Sequence, residues 1–547
     1  MIRVAAAQFF SGDDPVANAD LCRQWIERAS EAGADLVVLP EGANRVRDFA
    51  TREACFDGVE AIDGPFVAAL QDAARTFNIH VAAGIDLRGD EAPDAYIELV
   101  MIDPSGAIIG RHRKHFLWDY EYTLYRPGVD DMPVIETDLG RIGMIICADG
   151  LIPEPAGLLA LQSPDLLVNV LNSRGPDEMR IHVPQRAREC GCWVVASNTV
   201  GGPADGLPWT GGSQVFSPDG QRVALASESE PEMIVADIEL SGENAATHAA
   251  RGRRRPELYA SLARPAPTMA EVAPRPVTVG AIQLSWYHND TFTLKRAAAQ
   301  VAFAAERGAS LAVFPELFHL RSLEDVDRGA LERSEVARDV VQKAAAANRI
   351  GVVATFVEEI DGALAHIAVC FGPDGDVLGT QQRTHVSANE SWATPGDALA
   401  TFDTPFGRVG MLIGDELDVP EVARVLALDG AELLLHPTRW TRPLDADMTA
   451  IERVVENRVH LVSAARLDSA LGTGSQIVVA DRWYATGPPP LPRYPTAIRG
   501  RGGFEELILA TVDLADTHDK RLGAHIDVFA DRIPSMYAPL ATETLEP

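Results

Sequence analysis

The sequence predicts an α/β fold that occurs twice in the chain. Short apolar stretches rich in β-branched residues alternate with stretches in which apolar residues recur every three to four positions. This alternation is typical of buried strands covered by amphipathic helices. Several motifs of the first half also return in the same order in the second half. A shared order of motifs indicates an internal repeat, because similar composition alone does not preserve order.

The elements of the first copy follow from these patterns. Two helices are predicted from apolar residues that share a face, at Leu21, Trp25 and Ala29 and at Val67, Leu70, Ala74 and Phe77. Strands are predicted for DLVVLP, HVAAGID, YIELVMID, IIGRHR, RIGMIIC, DLLVNVL and CWVVASN. No G-x-G-x-x-G or Walker A pattern follows any of these strands, so the sequence does not favour nucleotide binding.

The repeat also predicts the domain boundaries. ADLVVLPEG, which ends at Gly42, returns as ASLAVFPEL, and GRIGMIICADGLIPE, from Gly140, returns as GRVGMLIGDELDVPE. RRPELYASL, near the end of the first copy, returns as RIPSMYAPL near the end of the second. Between the copies lies PAPTMAEVAPRP, whose prolines are typical of a short, stiff linker. We therefore predict a first domain at residues 1–264, a Pro-rich linker at 265–276 and a second domain at 277–547.

Composition excludes several classes of partner. The 79 acidic residues outnumber the 48 basic ones, for a formal net charge of −31 over 547 residues. Nucleic acids and anionic membrane surfaces are bound through clustered Lys and Arg, so neither is expected as a partner. The chain contains no apolar stretch long enough for a transmembrane helix, and its N-terminus does not resemble a secretory signal. A cytoplasmic location is expected.

Three reactive side chains of the first domain follow predicted strands. Glu41 follows DLVVLP, Lys114 follows IIGRHR, and Cys147 closes RIGMIIC. A thiol with its ordinary pKa of about 8.5 is mostly protonated at neutral pH. A nearby carboxylate accepts its proton, and a fixed ammonium stabilises the thiolate and the oxyanion that forms on attack. This set of residues is suited to acyl transfer by a cysteine without histidine.

The motifs around these residues resemble those of the nitrilase superfamily of carbon–nitrogen hydrolases, once in each copy. VLPEG, GRHRKHFL and GMIICADGLIPE are similar to the family's glutamate, lysine and cysteine motifs, and RARECGCWVVASNTVGG and GGSQVFSPDG to later ones. The resemblance implies a nitrilase-like four-layer α-β-β-α sandwich in each copy and pairing of the two copies as a fused pseudo-dimer. It also implies that Glu41, Lys114 and Cys147 form a catalytic triad, with no metal and no organic cofactor.

The resemblance extends to residues beside the triad. Members of the family have a second glutamate shortly after the lysine, and in HFLWDYEYTLYRPG this residue is Glu121, with Asp119 as the competing position. Its implied role is to hold Lys114 and to orient the substrate nitrogen. The N–H of Ala148 is implied as an oxyanion donor. Trp118 and Tyr120 lie near Lys114 in the sequence and are expected either to shape the substrate pocket or to pack within their loop.

The second domain retains the motifs but not the nucleophile. Glu316 and Glu390 correspond to Glu41 and Glu121, whereas Arg383 replaces the lysine and Gly414 replaces the cysteine. Loss of a nucleophile costs on the order of 10⁶ in a well-studied hydrolase, so only the first domain is expected to be active. The second domain is expected to pair with the first, and further homo-oligomerisation stays open.

CADGLIPE resembles the cysteine segment of aliphatic amidases more than that of true nitrilases. A small amide is therefore the expected substrate, converted to a carboxylic acid and ammonia through a thioester. Hydrolysis of an N-carbamoyl amide or of a nitrile is the alternative reaction. A non-catalytic sensing or interaction protein is the alternative of another class.

Overall fold

A computed structural model describes the chain except for residues 46–48, 176, 203–206, 241–251, 325, 443, 470, 481–493, 496 and 543–547. Among the described helices, none combines the length and the apolar character needed to cross a bilayer.

The described residues of the first domain form a pair of six-stranded sheets. In spatial order, the first sheet contains Glu232–Ile238 (β14), Ile2–Gln8 (β1), Leu36–Leu39 (β2), His80–Arg88 (β3), Ala95–Ile102 (β4) and Ile108–Arg113 (β5). The second contains Arg222–Leu225 (β13), Gln214–Phe216 (β12), Trp193–Asn198 (β9), Leu166–Leu171 (β8), Gly140–Ile146 (β7) and Ile135–Thr137 (β6). Val200–Gly201 (β10) pairs with Trp209–Thr210 (β11) in a separate ribbon. Each predicted strand of this domain is present.

Helices cover the outer faces of these sheets. The helices are Pro15–Glu31 (α1), Arg52–Gly58 (α2), Pro65–Phe77 (α3), Glu121–Leu124 (α4), Pro153–Leu161 (α5) and Val183–Cys190 (α6). The apolar faces of α1 and α3 pack on alternate residues of β1, β2 and β3, and the intervening strand residues face the second sheet. The second sheet is covered by α5 and α6. The described elements therefore form the α-β-β-α layers of the predicted sandwich.

The second domain repeats this arrangement. Its first sheet is ordered Val377–Gln382 (β19), Ala363–Phe371 (β18), Gly351–Ile360 (β17), Leu311–Val313 (β16), Pro276–Gln283 (β15) and Glu506–Asp513 (β26). Its second sheet is ordered Thr401–Thr404 (β20), Gly407–Met411 (β21), Leu433–Thr438 (β22), His460–Ala465 (β23), Gln476–Val478 (β24) and Ala497–Arg499 (β25). Its helices are Asp290–Glu306 (α7), Gly329–Asn348 (α8), Pro420–Leu428 (α9) and Ala450–Asn457 (α10).

The two domains pack through α5 and α6 of the first and α9 and α10 of the second, which share one continuous apolar core. Buried ion pairs cross this interface in reciprocal positions. Arg186 of α6 donates to Glu456 of α10 at 2.7 Å, and Arg453 of α10 donates to Glu189 of α6. Contacts that repeat with the roles of the two partners exchanged are typical of surfaces related by a two-fold axis.

The C-terminal segment of each domain extends over the other domain. Arg254 pairs with Glu421 of α9 at 2.8 Å, and at the equivalent position Arg532 pairs with Glu154 of α5 at 2.6 Å. Tyr259 also shares a hydrogen bond of 2.6 Å with His385 in the second domain. Neither domain therefore buries its helical face without the other.

Candidate active site

The residues predicted for catalysis meet where strands of the two facing sheets end. Glu41 lies two residues beyond β2, Lys114 directly follows β5, and Cys147 directly follows β7. The N–H of Glu41 donates to the carbonyl of Leu171 at the end of β8, at 3.3 Å, which joins the first sheet to the second at this edge. The fold thus brings together side chains that are far apart in the sequence.

Lys114 connects the predicted carboxylates. Its Nζ lies 2.7 Å from Oε1 of Glu41 and 2.8 Å from Oε2 of Glu121, and its side chain is fully buried. Glu121 begins α4, and its carboxylate also accepts from the N–H of Trp118 at 2.7 Å. Asp119, the competing position, accepts instead from the N–H of His525 in the second domain. The residue that holds Lys114 here is therefore Glu121.

Cys147 lies in a backbone conformation that glycine usually adopts. Its φ is +42°, and it begins a 3₁₀ turn, Cys147–Leu151, directly after β7. A non-glycine residue in this left-handed region costs about 1–2 kcal/mol, so other contacts must hold it there. The side-chain oxygen of Asn169 on β8 accepts from the Cys147 N–H at 3.2 Å. The sharp turn aims the sulfur out of the strand and toward the cavity.

Asp149 anchors the segments that carry the lysine and the cysteine. Its carboxylate accepts from the N–H groups of His115 and Phe116, at 2.9 and 2.8 Å, and from that of Ile146 at 3.1 Å. Burial opposes its charged form, but the hydrogen bond and charge of His112 lower the pKa of Asp149. A buried carboxylate with these donors holds the end of β5 against the end of β7.

Burial and mutual repulsion set the charges of the cluster. Burial raises the pKa of Glu41 against the opposing effect of Lys114, and it raises that of Glu121 to about 7. Burial also disfavours the ammonium of Lys114, but the charges of Glu121 and Glu41 outweigh it and raise the Lys114 pKa well above its usual value. Burial, followed by the charge of Glu178, raises the pKa of the Cys147 thiol well above normal. The resting site therefore holds a neutral thiol beside carboxylates that take up protons readily.

The sulfur faces a small cavity of about 80 Å³. The predicted pocket residues Trp118, Tyr120 and Ala148 all line it. A larger neighbouring cavity, of about 1010 Å³, borders Glu41 and shares Tyr120 and Glu121 with the small one. Substrate can therefore reach the thiol from a space that the carboxylates also face.

Sequence reasoning missed several residues of this cavity. Glu178 lies 3.5 Å from the Cys147 sulfur, Arg174 stacks over Trp209 at 3.9 Å, and Tyr494 reaches the cavity from the second domain. Arg174 and Glu178 follow the strand DLLVNVL, where functional loops are expected, so their placement could have been suspected. No sequence pattern indicates the contribution of Tyr494.

The sequence profile described as carbon–nitrogen hydrolase matches residues 3–246 and again residues 278–480, which together make up most of the chain. The chain belongs to the carbon–nitrogen hydrolase family. This membership confirms the resemblance inferred from the motifs, and the repeated match agrees with the tandem sandwiches of the fold.

Several relatives match this carbon–nitrogen hydrolase over a length close to that of one of its domains. A protein named nitrilase from Pyrococcus abyssi is 33% identical over 228 residues, 42% of this chain and 85% of that protein. The N-carbamoylputrescine amidase of Solanum lycopersicum is 27% identical, over 48% of this chain and 95% of that enzyme. The solved structure of an amidase from Nesterenkonia sp. is 26% identical, with a TM-score of 0.39, over 43% of this chain and 90% of that one.

The second carbon–nitrogen hydrolase domain has a different arrangement at the equivalent place. The guanidinium of Arg383 contacts Glu316 at 3.2 Å and also contacts Glu390 and Asp415. A Cβ added to Gly414 would lie 2.8 Å from Oε1 of Glu316 and 3.1 Å from Nη1 of Arg383. The arginine and its partners therefore occupy the space that a cysteine side chain needs.

Glu316, Glu390 and His366 of the second domain bring possible ligand atoms within 4.8 Å of one another. The guanidinium of Arg383 contacts both of these carboxylates. Since their negative charge already has a cationic partner, we assign no metal to this cluster.

Proposed function

We propose that the first domain hydrolyses a small amide to a carboxylic acid and ammonia, with Cys147 as the nucleophile. The observation that carries this proposal is the contact of Lys114 with both Glu41 and Glu121 beside the cavity that the Cys147 sulfur faces. Ionisable residues at a cavity whose pKa values are shifted by burial and by a charged neighbour are typical of catalytic sites.

The reaction begins with transfer of the thiol proton to Glu41. The Cys147 sulfur then attacks the amide carbon and forms a tetrahedral adduct with a negatively charged oxygen. Lys114 stabilises this oxyanion by its charge, and the N–H of Ala148 donates to it. The adduct collapses as the C–N bond breaks and the nitrogen takes the proton from Glu41, which releases ammonia and leaves a thioester on Cys147.

Water completes the cycle. Glu41 accepts a proton from the water molecule as its oxygen attacks the thioester carbon. The C–S bond then breaks, the carboxylic acid leaves, and the proton returns to the sulfur. The raised pKa of Glu41 makes its carboxylate a stronger base, which suits a group that must accept a proton and then return it. Glu121 keeps Lys114 in place and turns the amide nitrogen toward Glu41.

The second domain is proposed to be non-catalytic and to complete the first as half of a fused pseudo-dimer. The reciprocal ion pairs of Arg186 and Arg453 and the exchanged C-terminal segments support this role. In addition, the N–H of His525 holds Asp119, which lies two residues before Glu121. The second domain thus supports the loop that positions Lys114.

The test is ammonia release from short amides, N-carbamoyl compounds and nitriles, together with intact-mass analysis for an acyl adduct. Cys147→Ala is expected to lower turnover by on the order of 10⁴ to 10⁶ and to remove the adduct. Cys370→Ala, at a buried cysteine of the second domain, is the matched control and should leave both unchanged. Turnover by Cys147→Ala at the wild-type rate would overturn the proposal.

A further inference from the structure

Glu178 is a buried carboxylate with an unusual partner. It lies at the start of a π-helical turn, Glu178–His182, its side chain lines the small cavity, and the residue is 8% exposed. Its Oε1 accepts from the Cys147 thiol at 3.5 Å. Within the ranges that the structure describes, no Lys, Arg or His nitrogen lies within 4.0 Å of this carboxylate.

Two buried carboxylates at the interface between the domains have cations beside them. Glu154 contacts Arg424 and Arg532, and Glu189 contacts Arg186 and Arg453. A charged carboxylate that is buried without such a partner costs several kcal/mol, and a cationic ligand that pairs with it offsets part of this cost. Glu178 differs from these interface residues because it borders the cavity that the Cys147 sulfur faces and contacts the thiol instead of a cation.

We propose that Glu178 binds a positively charged group of the substrate, so that the substrate is a small amide with an ammonium group a few bonds from the scissile carbonyl. This inference rests on the proposed function, because Cys147 defines the position of the carbonyl. A carbonyl carbon in position for attack lies about 3–3.5 Å from the sulfur. Since Glu178 is equally close to the sulfur, an ammonium group that it binds lies near the carbonyl.

An aromatic ring in the same cavity is a second feature that suits a cation. Tyr494 reaches the cavity from the second domain and lies 5.0 Å, between ring centroids, from His182. Burial raises the pKa of Tyr494 well above its usual value, so the ring stays neutral. The face of a neutral aromatic ring attracts cations, most strongly where water is excluded.

Arg174 is the competing charge in this cavity. Its guanidinium stacks on Trp209 and also borders the larger cavity. If Arg174 selected the substrate, an anionic group would be preferred. Glu178 is favoured over Arg174 because its carboxylate contacts the Cys147 thiol. The binding of a cationic and of an anionic amide distinguishes the two.

A bound cation also has a consequence for the chemistry. The charge of Glu178 opposes formation of the thiolate at Cys147. An ammonium group on Glu178 neutralises this charge at the moment when the sulfur must lose its proton. A cationic substrate is therefore expected both to bind more tightly and to favour its own attack.

The test compares three amides of similar shape: 3-aminopropanamide, butanamide and succinamate. Their binding is measured by calorimetry in the Cys147→Ala protein, with and without Glu178→Gln. We expect 3-aminopropanamide to bind most tightly, and Glu178→Gln to weaken its binding roughly 10- to 100-fold, as for the loss of a charge-assisted hydrogen bond. Butanamide binding should change less than about threefold, the scale of an uncharged contact. Glu228→Gln, at an exposed carboxylate, is the control.

Tighter binding of succinamate would overturn the inference in favour of Arg174, and an equal effect of Glu178→Gln on all three amides would overturn it as well. Turnover by the wild-type protein tests the proposed function separately. Selective binding of 3-aminopropanamide without ammonia release or an acyl adduct would refute the proposed hydrolase function but not the cation site. Ammonia release from butanamide alone would support the hydrolase function and refute the cation site.

Discussion

Replacement of Lys114 by arginine keeps the charge of the site but changes its shape, and the second domain shows how. There, Nη1 of Arg383 lies 3.1 Å from the point that a Cβ on Gly414 would occupy. In the first domain the Cβ of Cys147 fills the equivalent point. Atoms in normal contact lie about 3.5–4.0 Å apart, so an arginine at position 114 must push the cysteine or itself aside by about 0.5 Å or more.

The expected loss follows from two effects. A misplacement of about 1 Å at the reacting atoms costs on the order of 10²-fold, and loss of one oxyanion donor costs about 10²- to 10³-fold. Because both act on the same attack step, they do not add fully, and we expect kcat/KM to fall by about 10² to 10⁴. A hundredfold loss corresponds to about 2.7 kcal/mol of transition-state stabilisation.

The assay is the initial rate of ammonia release, with intact-mass detection of the acyl adduct and thermal unfolding to verify the fold. Arg383→Lys is the matched control, since it exchanges the same two residue types at an equally buried position in the domain without a nucleophile. It should leave kcat/KM unchanged. Activity of Lys114→Arg within about threefold of wild type would refute the steric argument.

Three further predictions concern the pH dependence of activity, the steric fit at Gly414 and the pairing of the two domains. The acid limb of kcat/KM should lie above the ordinary glutamate pKa of about 4.3, because Glu41 must be ionised to accept the thiol proton and burial raises its pKa. An acid limb at or below about pH 4.3 would contradict this. Gly414→Cys should lower the free energy of unfolding by about 1–3 kcal/mol through overpacking against Arg383, and Arg383→Lys in the same protein should recover part of that loss. Denaturant titrations in which the effects of the two substitutions simply add would argue against a clash between these side chains. Residues 1–264 expressed alone should aggregate or self-associate and lose activity, because the buried charges of the ion pairs between the domains would lose their partners at a cost of about 3–5 kcal/mol each. An active monomer in size-exclusion chromatography would contradict the pseudo-dimer.

The positions of Glu41, Lys114 and Cys147 at strand ends could be predicted because strand burial is a local pattern. A continuous apolar stretch that stops at a polar residue indicates where a buried strand ends. Parallel neighbours such as β7 and β8 then place those ends at one edge of a sheet. The order of motifs in the two halves likewise predicted the repeated sandwich.

Glu178 could not be predicted in the same way. It lies beyond β8 on a π-helical turn, and its distance to the sulfur depends on how that turn folds back over the cavity. The contribution of Tyr494 depends on the packing of one whole domain against the other. Such contacts join segments that are far apart in the sequence, and the helix and strand periodicities that predict local structure do not indicate which distant segments meet.

By itself, the sequence determined the α/β class, the tandem repeat, the carboxylate, ammonium and thiol of the first domain, and the loss of the thiol at Gly414. These features follow from residue identity, from the order of motifs along the chain, and from the periods of about 2 and 3.6 residues that strands and helices impose. Only the tertiary structure decided that Glu121 rather than Asp119 holds Lys114, and that Arg383 fills the space of the missing cysteine. The reason is that a contact across two sheets or two domains depends on distances between side chains, which are set by how the layers pack and not by the order of residues along the chain.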